Sequence, residues 1–355
     1  MKTRAIIKLP AIAHNLAIAR AHAPDNKVMA VVKADAYGHG SAGLLPVLRQ
    51  HTEGLAVARL EEAQALREAG YEGKLLLLSG VTDHEALTTA LLSRLDIVVH
   101  DDSHLAMLTR YVHPHPHRST LWLKLDTGMH RLGFAPQDFA NAFNTLKTIP
   151  WCEQVIGMTH FASADETDNP KTAQQIACYR EWTKDLELDG HSLANSAGLL
   201  AWPGARTGWL RPGLMMYGVN PLPGNLDLQA AMQMEAQVIG IKTISQGDTV
   251  GYNEQWHAAR DTRVAFIAAG YADGYPVTVR NNAYVALDGV RAPIIGRVSM
   301  DTIAIDCTDI ATPSLGDWAE LWGEHISVRE VANWAGTIPY QLLTDLSLRV
   351  ERIYR

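Results

Sequence analysis

Val28-Met29-Ala30-Val31-Val32-Lys33-Ala34-Asp35-Ala36-Tyr37-Gly38-His39-Gly40 joins an apolar, valine-rich run to a lysine and a glycine-rich turn. A short unbroken apolar run of this kind reads as a strand buried on both faces, as in a parallel sheet. Gly38-His39-Gly40-Ser41-Ala42-Gly43 also fits the dinucleotide pattern G-x-G-x-x-G, with Glu61 or Glu62 about 20 residues on. In a nucleotide-binding unit, however, the first glycine turns the chain directly after the strand. Here Lys33 to Tyr37 intervene, and the following units lack the supporting pattern. The glycines are better read as letting the backbone turn beneath a ligand, with Tyr37 free to reach a phosphate.

Outward from this stretch, the same unit of apolar run and helical pattern recurs to about residue 217. The runs are Val28-Val32, Leu55-Ala58, Leu75-Leu78, Ile97-Val99, Leu121-Leu125, Val155-Met158, Ser192-Ala194 and Leu214-Tyr217. Amphipathic stretches lie between them, such as Glu61 to Ala69, and Thr172 to Leu186 with Ile176, Tyr179, Trp182 and Leu186 on one face. Eight such units predict an α/β fold with an N-terminal (β/α)8 barrel. A doubly wound sheet competes, because sequence alone does not close a sheet. Beyond residue 225 the period becomes two: Val238 to Ile244, Val264 to Ala268, and a hairpin of Ala283 to Leu287, Asp288-Gly289 and Val290 to Ile295. This predicts a smaller all-β C-terminal domain. The breaker-rich Asn220-Pro221-Leu222-Pro223-Gly224-Asn225 marks the junction, giving domains 1–225 and 226–355, with the first few residues free to pair with the β domain.

The 355 residues are 47 % apolar and 19 % charged, the composition of a globular protein with a large core. A net charge of -7 argues against a nucleic-acid partner. Cys152, Cys178 and Cys307 stand in no paired or metal-ligand spacing and read as buried thiols in a reducing compartment. Lys2, Arg4 and Ala21-His22-Ala23 mimic a signal peptide, but Lys8, Pro10, His14, Asn15 and Arg20 interrupt its apolar region. No run approaches a membrane span, so a cytoplasmic protein is expected. His113-Pro114-His115-Pro116-His117 has alternate histidines, yet no carboxylate or cysteine beside them, and reads as a solvated loop; no metal site is expected.

Active sites of such barrels lie at the C-terminal ends of the strands. Lys33, just past an apolar run, would be partly desolvated, which lowers its pKa and suits a Schiff-base nucleophile. A lysine snorkelling from a strand end is the plainer account. Other strand ends add Lys124 and Arg131 around Asp126-Thr127-Gly128-Met129, His160, Asn195-Ser196 and Arg211-Pro212-Gly213. Singly each has a structural explanation: a core histidine, a helix cap, a helix-entry arginine. Together they set cations, an imidazole and hydroxyls on one barrel mouth. Backbone amides near Gly213-Leu214, with Ser196, suit a phosphate there.

Val32 to Gly40, Lys124-Leu125-Asp126-Thr127-Gly128-Met129-His130-Arg131-Leu132-Gly133, Ser163-Ala164-Asp165-Glu166, Arg211-Pro212-Gly213, Gly251-Tyr252, Ala269 to Pro276 and Ser299-Met300-Asp301 stand in order across nearly the whole chain. This set resembles the bacterial alanine racemases. The resemblance implies a pyridoxal 5'-phosphate enzyme of fold-type III that interconverts L- and D-alanine, built as a homodimer with composite sites. Lys33 matches the lysine that carries the cofactor as a Schiff base and acts as base on the D-alanine side. Tyr252 matches the opposite base, acting on L-alanine from the partner subunit. Unperturbed, a lysine and a tyrosine both titrate near pH 10, so the site must lower at least one. The family's path runs from Tyr252 through His160 to Arg211.

Arg211 also matches the residue at the pyridine nitrogen, where a guanidinium accepts no proton and leaves the ring a weaker electron sink. Arg131 matches the residue near the phenolic oxygen and substrate carboxylate. Lys124 aligns with a lysine carbamylated in many members, and unmodified it would repel Arg131. Tyr37, Ser196, Gly213, Leu214 and Tyr340 correspond to the phosphate cradle, and Met300, Asp301 and Tyr271 to the substrate side. Asp165, Tyr271 and Arg297 match entrance positions. Val277 stands where the family usually has arginine, Asn253 where glycine is common, and Glu351 where proline is usual; the first puts substrate breadth in doubt. A fold-type III decarboxylase is disfavoured because its cysteine-centred motif is missing. A cofactor-homeostasis protein, a barrel alone, is disfavoured by the β domain. The implied role is D-alanine supply for peptidoglycan, or alanine catabolism.

Overall fold

The computed structural model describes residues 2–112, 118–279, 282–311 and 313–355. The histidine tract at 113–117 lies outside them. The first strand, β1 (Thr3–Ile7), is followed directly by a helix, Leu9–His22, with Pro10 in its first turn, where the missing N–H costs nothing. Eight parallel barrel strands then follow: β2 (Lys27–Val31), β3 (Gly54–Val57), β4 (Lys74–Leu77), β5 (Asp96–Val99), β6 (Ser119–Lys124), β7 (Cys152–Met158), β8 (Gly190–Ser192) and β9 (Trp209–Leu210). Each neighbour in the order β8-β7-β6-β5-β4-β3-β2-β9 is hydrogen-bonded, and a bridge between Ser192 and Gly208 brings the two ends together. The sheet is a nearly closed barrel, so the doubly wound alternative falls away.

The seventh run, Ser192-Ala194, meets its strand Gly190–Ser192 only at Ser192, and one strand departs from its expected place altogether. Leu214–Tyr217, read as the eighth strand, is a 3-10 turn, and the eighth strand is Trp209–Leu210, paired with Lys27 and Val28. A second departure is Trp182, 43 % exposed on the helix Lys171–Thr183 instead of buried with Ile176 and Tyr179. Of the cysteines only Cys307 is fully buried.

The C-terminal sheet is organised around β10 (Met232–Ile244), which pairs antiparallel with β1, with Thr262–Ile267 and with Trp318–Trp322. The hairpin of Tyr284–Leu287 and Val290–Pro293 turns at Asp288-Gly289, where both residues have the positive φ such a turn demands. This domain also holds two short helices, Val328–Ala335 and Pro339–Thr344, which an all-β reading had no place for. The last strand, Glu351–Tyr354, runs parallel to β1, so both chain ends meet in this sheet. From there Arg352 donates to the Gly38 carbonyl, and Gly38, at φ +76, passes so near the Leu343 carbonyl that a Cβ would lie 1.9 Å from it. The two domains thus meet at the loop that follows β2.

Candidate active site

The turn after β2 presents Lys33. Ala34, Asp35, Ala36 and Tyr37 all take left-handed helical angles, with φ between 50° and 54°. Non-glycine residues pay roughly 1–2 kcal/mol each for that conformation, so it persists only where the surroundings over-determine it. They do so here. Glu62 accepts the Ala34 N–H at 2.6 Å, Asp35 accepts the Ser41 N–H at 2.7 Å, and the His39 Nδ1 lies within 3.1 Å of the Ala36 and Tyr37 carbonyls. His39, Tyr217 and Tyr37 form a stack of rings, with centroids 4.4 and 4.8 Å apart, that ends beside Tyr340.

Lys33 and Tyr37 open into a cavity of about 820 Å³ at the C-terminal ends of the barrel strands. It is lined as well by Lys124, Arg131, His160, Ser196, Arg211, Gly213, Leu214 and Tyr340. Lys124 is the last residue of β6 and Arg131 sits on the following loop, pinned by Asp126, whose Oδ1 accepts the Gly128, Met129 and His130 N–H groups. Arg211 follows β9 and is buried, donating to the carbonyls of Thr159 (2.6 Å), Ser192 (2.8 Å) and Leu193 (3.2 Å) and to His160 Nδ1 at 3.4 Å. That contact leaves His160 Nδ1 as acceptor and its proton on Nε2. Ser196 Oγ accepts from the Gly213 and Met215 N–H groups, at 3.0 and 3.3 Å, so its own proton is free to donate. Asn195, not Ser196, caps the short helix there.

The electrostatics are those of an anion site. Burial and then Arg131 lower the Lys33 pKa, against which Glu62 acts. Burial, Arg131 and Arg211 bring Lys124 to about 8. Burial and Arg211 hold His160 well below its ordinary value, so the imidazole is neutral. Burial lowers Arg211 to about 10 and raises Tyr37, which stays a phenol. Among the described residues no carboxylate forms an ion pair with Lys33, Lys124, Arg131 or Arg211.

Two family models match the chain, the alanine racemase N-terminal domain over residues 7–221 and the alanine racemase C-terminal domain over residues 231–354. The chain belongs to the alanine racemase family. Its activity class is accordingly that of an amino-acid racemase, an isomerase. It is 45 % identical over 352 residues to the alanine racemase of Shewanella sediminis, covering 98 % of this chain and 97 % of that one. Among solved structures it resembles the biosynthetic alanine racemase of Pseudomonas aeruginosa, with a TM-score of 0.95, 40 % identity and full coverage of both chains. The alanine racemase of Bartonella henselae, solved with covalently bound pyridoxal phosphate, superposes with a TM-score of 0.93 at 30 % identity, again over both whole chains.

The residues fit that cofactor. An amine with lowered pKa, free of an ion pair, suits a carbonyl condensation. The Tyr37 hydroxyl borders Gly213, where a Cβ would stand 2.9 Å from it and fill the space between them. The Tyr37 and Ser196 hydroxyls, beside the turn at Gly213-Leu214, form a donor set for a phosphate dianion. Four expected residues lie elsewhere. Tyr252 (65 % exposed), Tyr271 and Met300 are on the surface of the C-terminal domain, and Asp301, also exposed, bonds Arg349 at 2.7 Å. Within one chain the cavity is therefore without its expected second base. Two features went unread in the sequence. Glu62 was noticed only as the acidic residue of the dinucleotide decoy, because Arg59, three residues before it, is not the hydroxyl or Asp/Asn residue that would mark a capping box. Arg329, Asn333 and Thr337, which line the cavity from the C-terminal domain, carried no signal of their own.

Proposed function

We propose that this chain racemises alanine with pyridoxal 5'-phosphate held as a Schiff base on Lys33, using two bases on opposite faces of the substrate. Residues 1–225 hold the cofactor and residues 226–355 supply the second base. The observation that carries the reading is one cavity holding a lowered-pKa lysine, a phosphate-type donor set and a buried arginine with no carboxylate partner. Tyr37, Ser196, Gly213, Leu214 and Tyr340 would hold the phosphate, and Arg211 would face the ring nitrogen. When bound, the cofactor supplies the electron sink that acidifies the substrate Cα–H.

The protein's own groups do the rest. Lys33 would remove or return the α-proton on the D-alanine side. Arg131 orients the substrate carboxylate. Arg211, unable to accept a proton, keeps the ring a modest sink, which favours prompt reprotonation over transamination. Tyr252 of the partner subunit acts on the L-alanine side, in contact with His160 and so with Arg211, and Met300, Asp301 and Tyr271 of the partner subunit close the substrate end. The exposure of these residues, with the Tyr271 and Ala272 N–H groups bonded to the Ser299 and Met300 carbonyls, supports a homodimer with composite sites. Lys124 carries a carbamate, formed when its amine attacks carbon dioxide and releases a proton; the anion then holds Arg131. The pKa of about 8 favours the free amine that this needs.

The test is α-proton exchange of L- and D-alanine in D2O. Wild type should exchange both enantiomers and give a racemic mixture, Lys33→Ala should be inert, and Tyr252→Phe should lose exchange from L-alanine selectively. Equal residual rates in Tyr252→Phe count against its assigned face. No helix among the described residues is long and apolar enough to cross a membrane. We place the activity in the cytoplasm, supplying D-alanine for peptidoglycan or serving alanine catabolism. A deletion strain that requires D-alanine points to the first, and one that fails only on alanine as carbon source to the second.

A further inference from the structure

Glu62 opens the helix Leu60–Glu68 and sends its carboxylate back toward the barrel mouth. Its Oε2 accepts the Ala58 and Arg59 N–H groups, at 2.8 and 3.0 Å, which fixes the turn after β3. Its Oε1 accepts the Ala34 N–H at 2.6 Å. That second bond crosses to the peptide unit immediately after Lys33, at the first of four residues in left-handed geometry. A carboxylate with both oxygens on backbone donors has one orientation, and charge-assisted bonds of this kind are about twice as strong as neutral ones. Glu62 therefore ties the strained turn to the neighbouring strand of the barrel and sets the direction in which the Lys33 side chain leaves the backbone.

We propose that Glu62 is the positioning residue of Lys33, holding the Lys33–Ala34 peptide by the hydrogen bond from the Ala34 N–H and so fixing where the Lys33 amine points. This rests on the reading of Lys33 as the cofactor lysine. The charged and titratable groups around the cavity that Lys33 enters are Arg131, Lys124, Arg211 and Arg329, the carboxylate of Asp165, the neutral His160 and the phenols Tyr37 and Tyr340, and Glu62 acts on it from the neighbouring helix. Glu62 stabilises the ammonium, opposing burial and Arg131. A lysine that must take a proton as a base and then give it back as an acid needs its ammonium form within reach, and an uncompensated cluster of cations would withhold it. Glu62 thus links two properties of one residue: where its amine points, and at what pH it holds a proton.

The experiment uses cofactor-free full-length protein, to which pyridoxal phosphate is added across a pH series. Condensation is followed by absorbance, trapped with borohydride and mapped by peptide mass spectrometry. Amide hydrogen exchange of the 33–37 segment is read in parallel. The wild type should carry its label on Lys33. Glu62→Gln should carry it there too, with the midpoint of condensation moved to lower pH and exchange in the segment accelerated roughly ten- to hundredfold, the worth of a hydrogen bond to a charged group. Glu62→Asp keeps the charge on a shorter arm. Its midpoint should stay near that of wild type while exchange accelerates, a separation that a merely structural role would not produce. A label on another lysine in wild type overturns the Lys33 reading itself. A label on Lys33 with midpoint and exchange unmoved in Glu62→Gln, or with the two variants indistinguishable, overturns the role of Glu62.

Discussion

Replacing Lys124 by Met isolates the cost of a buried ammonium in the barrel mouth. In the fold, burial together with Arg131 and Arg211 brings its pKa to about 8, against 10.5 for an exposed lysine. Below pH 8 the amine is protonated in folded and unfolded chains alike, and the fold bears the whole penalty. At 1.36 kcal/mol per unit, that penalty is about 3 kcal/mol for the unmodified side chain. Between pH 8 and 10.5 the folded chain gives up this proton first, the unfolded state binds more protons, and stability rises with pH. Met matches the lysine chain as far as Cε and has no charge. Cofactor-free Lys124→Met should therefore be more stable than carbon-dioxide-free wild type at pH 7, by up to about 3 kcal/mol, and the gap should close toward pH 10.5. Guanidinium chloride unfolding at pH 7, 8, 9 and 10 measures this, without the cyanate that urea would bring to lysine. Intact mass confirms the unmodified amine in each sample. Added bicarbonate should then stabilise wild type and leave the Met variant unchanged, with the carbamate mass appearing on wild type alone. A Met variant less stable at pH 7, or a gap that does not narrow with pH, refutes the argument. Bicarbonate that leaves wild type unmodified refutes the carbamate.

Arg211→Lys keeps the charge but loses the fork that serves the Thr159, Ser192 and Leu193 carbonyls. With at least two buried acceptors left bare, denaturant unfolding should show a loss of about 2–4 kcal/mol, and a loss under about 1 kcal/mol contradicts the geometry. Gly38→Ala places a Cβ 1.9 Å from the Leu343 carbonyl at φ +76. It should cost more than about 2 kcal/mol in the same assay, whereas Gly316→Ala, at φ +94 but in open space, should cost only about 1. Equal effects would mean that the close approach of the domains is unimportant. Tyr37→Phe should leave the melting temperature of the cofactor-free protein in place and weaken cofactor affinity about tenfold in an absorbance titration. An unchanged affinity removes Tyr37 from the cradle.

Six of the eight barrel strands were legible because each contains a run of apolar residues buried on both faces, whereas the seventh, the Gly-His-Ser strand Gly190–Ser192, meets its expected run Ser192-Ala194 only at Ser192. The eighth was not legible, since Trp209–Leu210 is two residues long and its pairing depends on the tertiary position of β2. Leu214–Tyr217 took its place in the reading because apolar residues packed under a 3-10 turn have the same composition as a buried strand. The site residues stood out as polar groups at strand ends, and the motifs around Lys33, Lys124 and Arg211 identified the family. The left-handed turn at Ala34–Tyr37 had no sequence signal. Alanine, aspartate and tyrosine do not announce a positive φ, and what holds them there comes from Glu62 and His39 in three dimensions. The placement of Tyr252 outside the single-chain cavity follows from the C-terminal sheet and could not be read from residue spacing.

Complementation between two inactive variants tests the composite two-base site most directly. Lys33→Ala and Tyr252→Phe chains are purified separately, mixed in equal amounts, dissociated and reassociated with pyridoxal phosphate, and assayed for L- to D-alanine conversion. Random pairing makes half the dimers mixed, and each of these has one intact site in two, so the account predicts recovery to about a quarter of wild-type activity. No recovery, in a sample that native mass spectrometry shows to contain the mixed dimer, would contradict it.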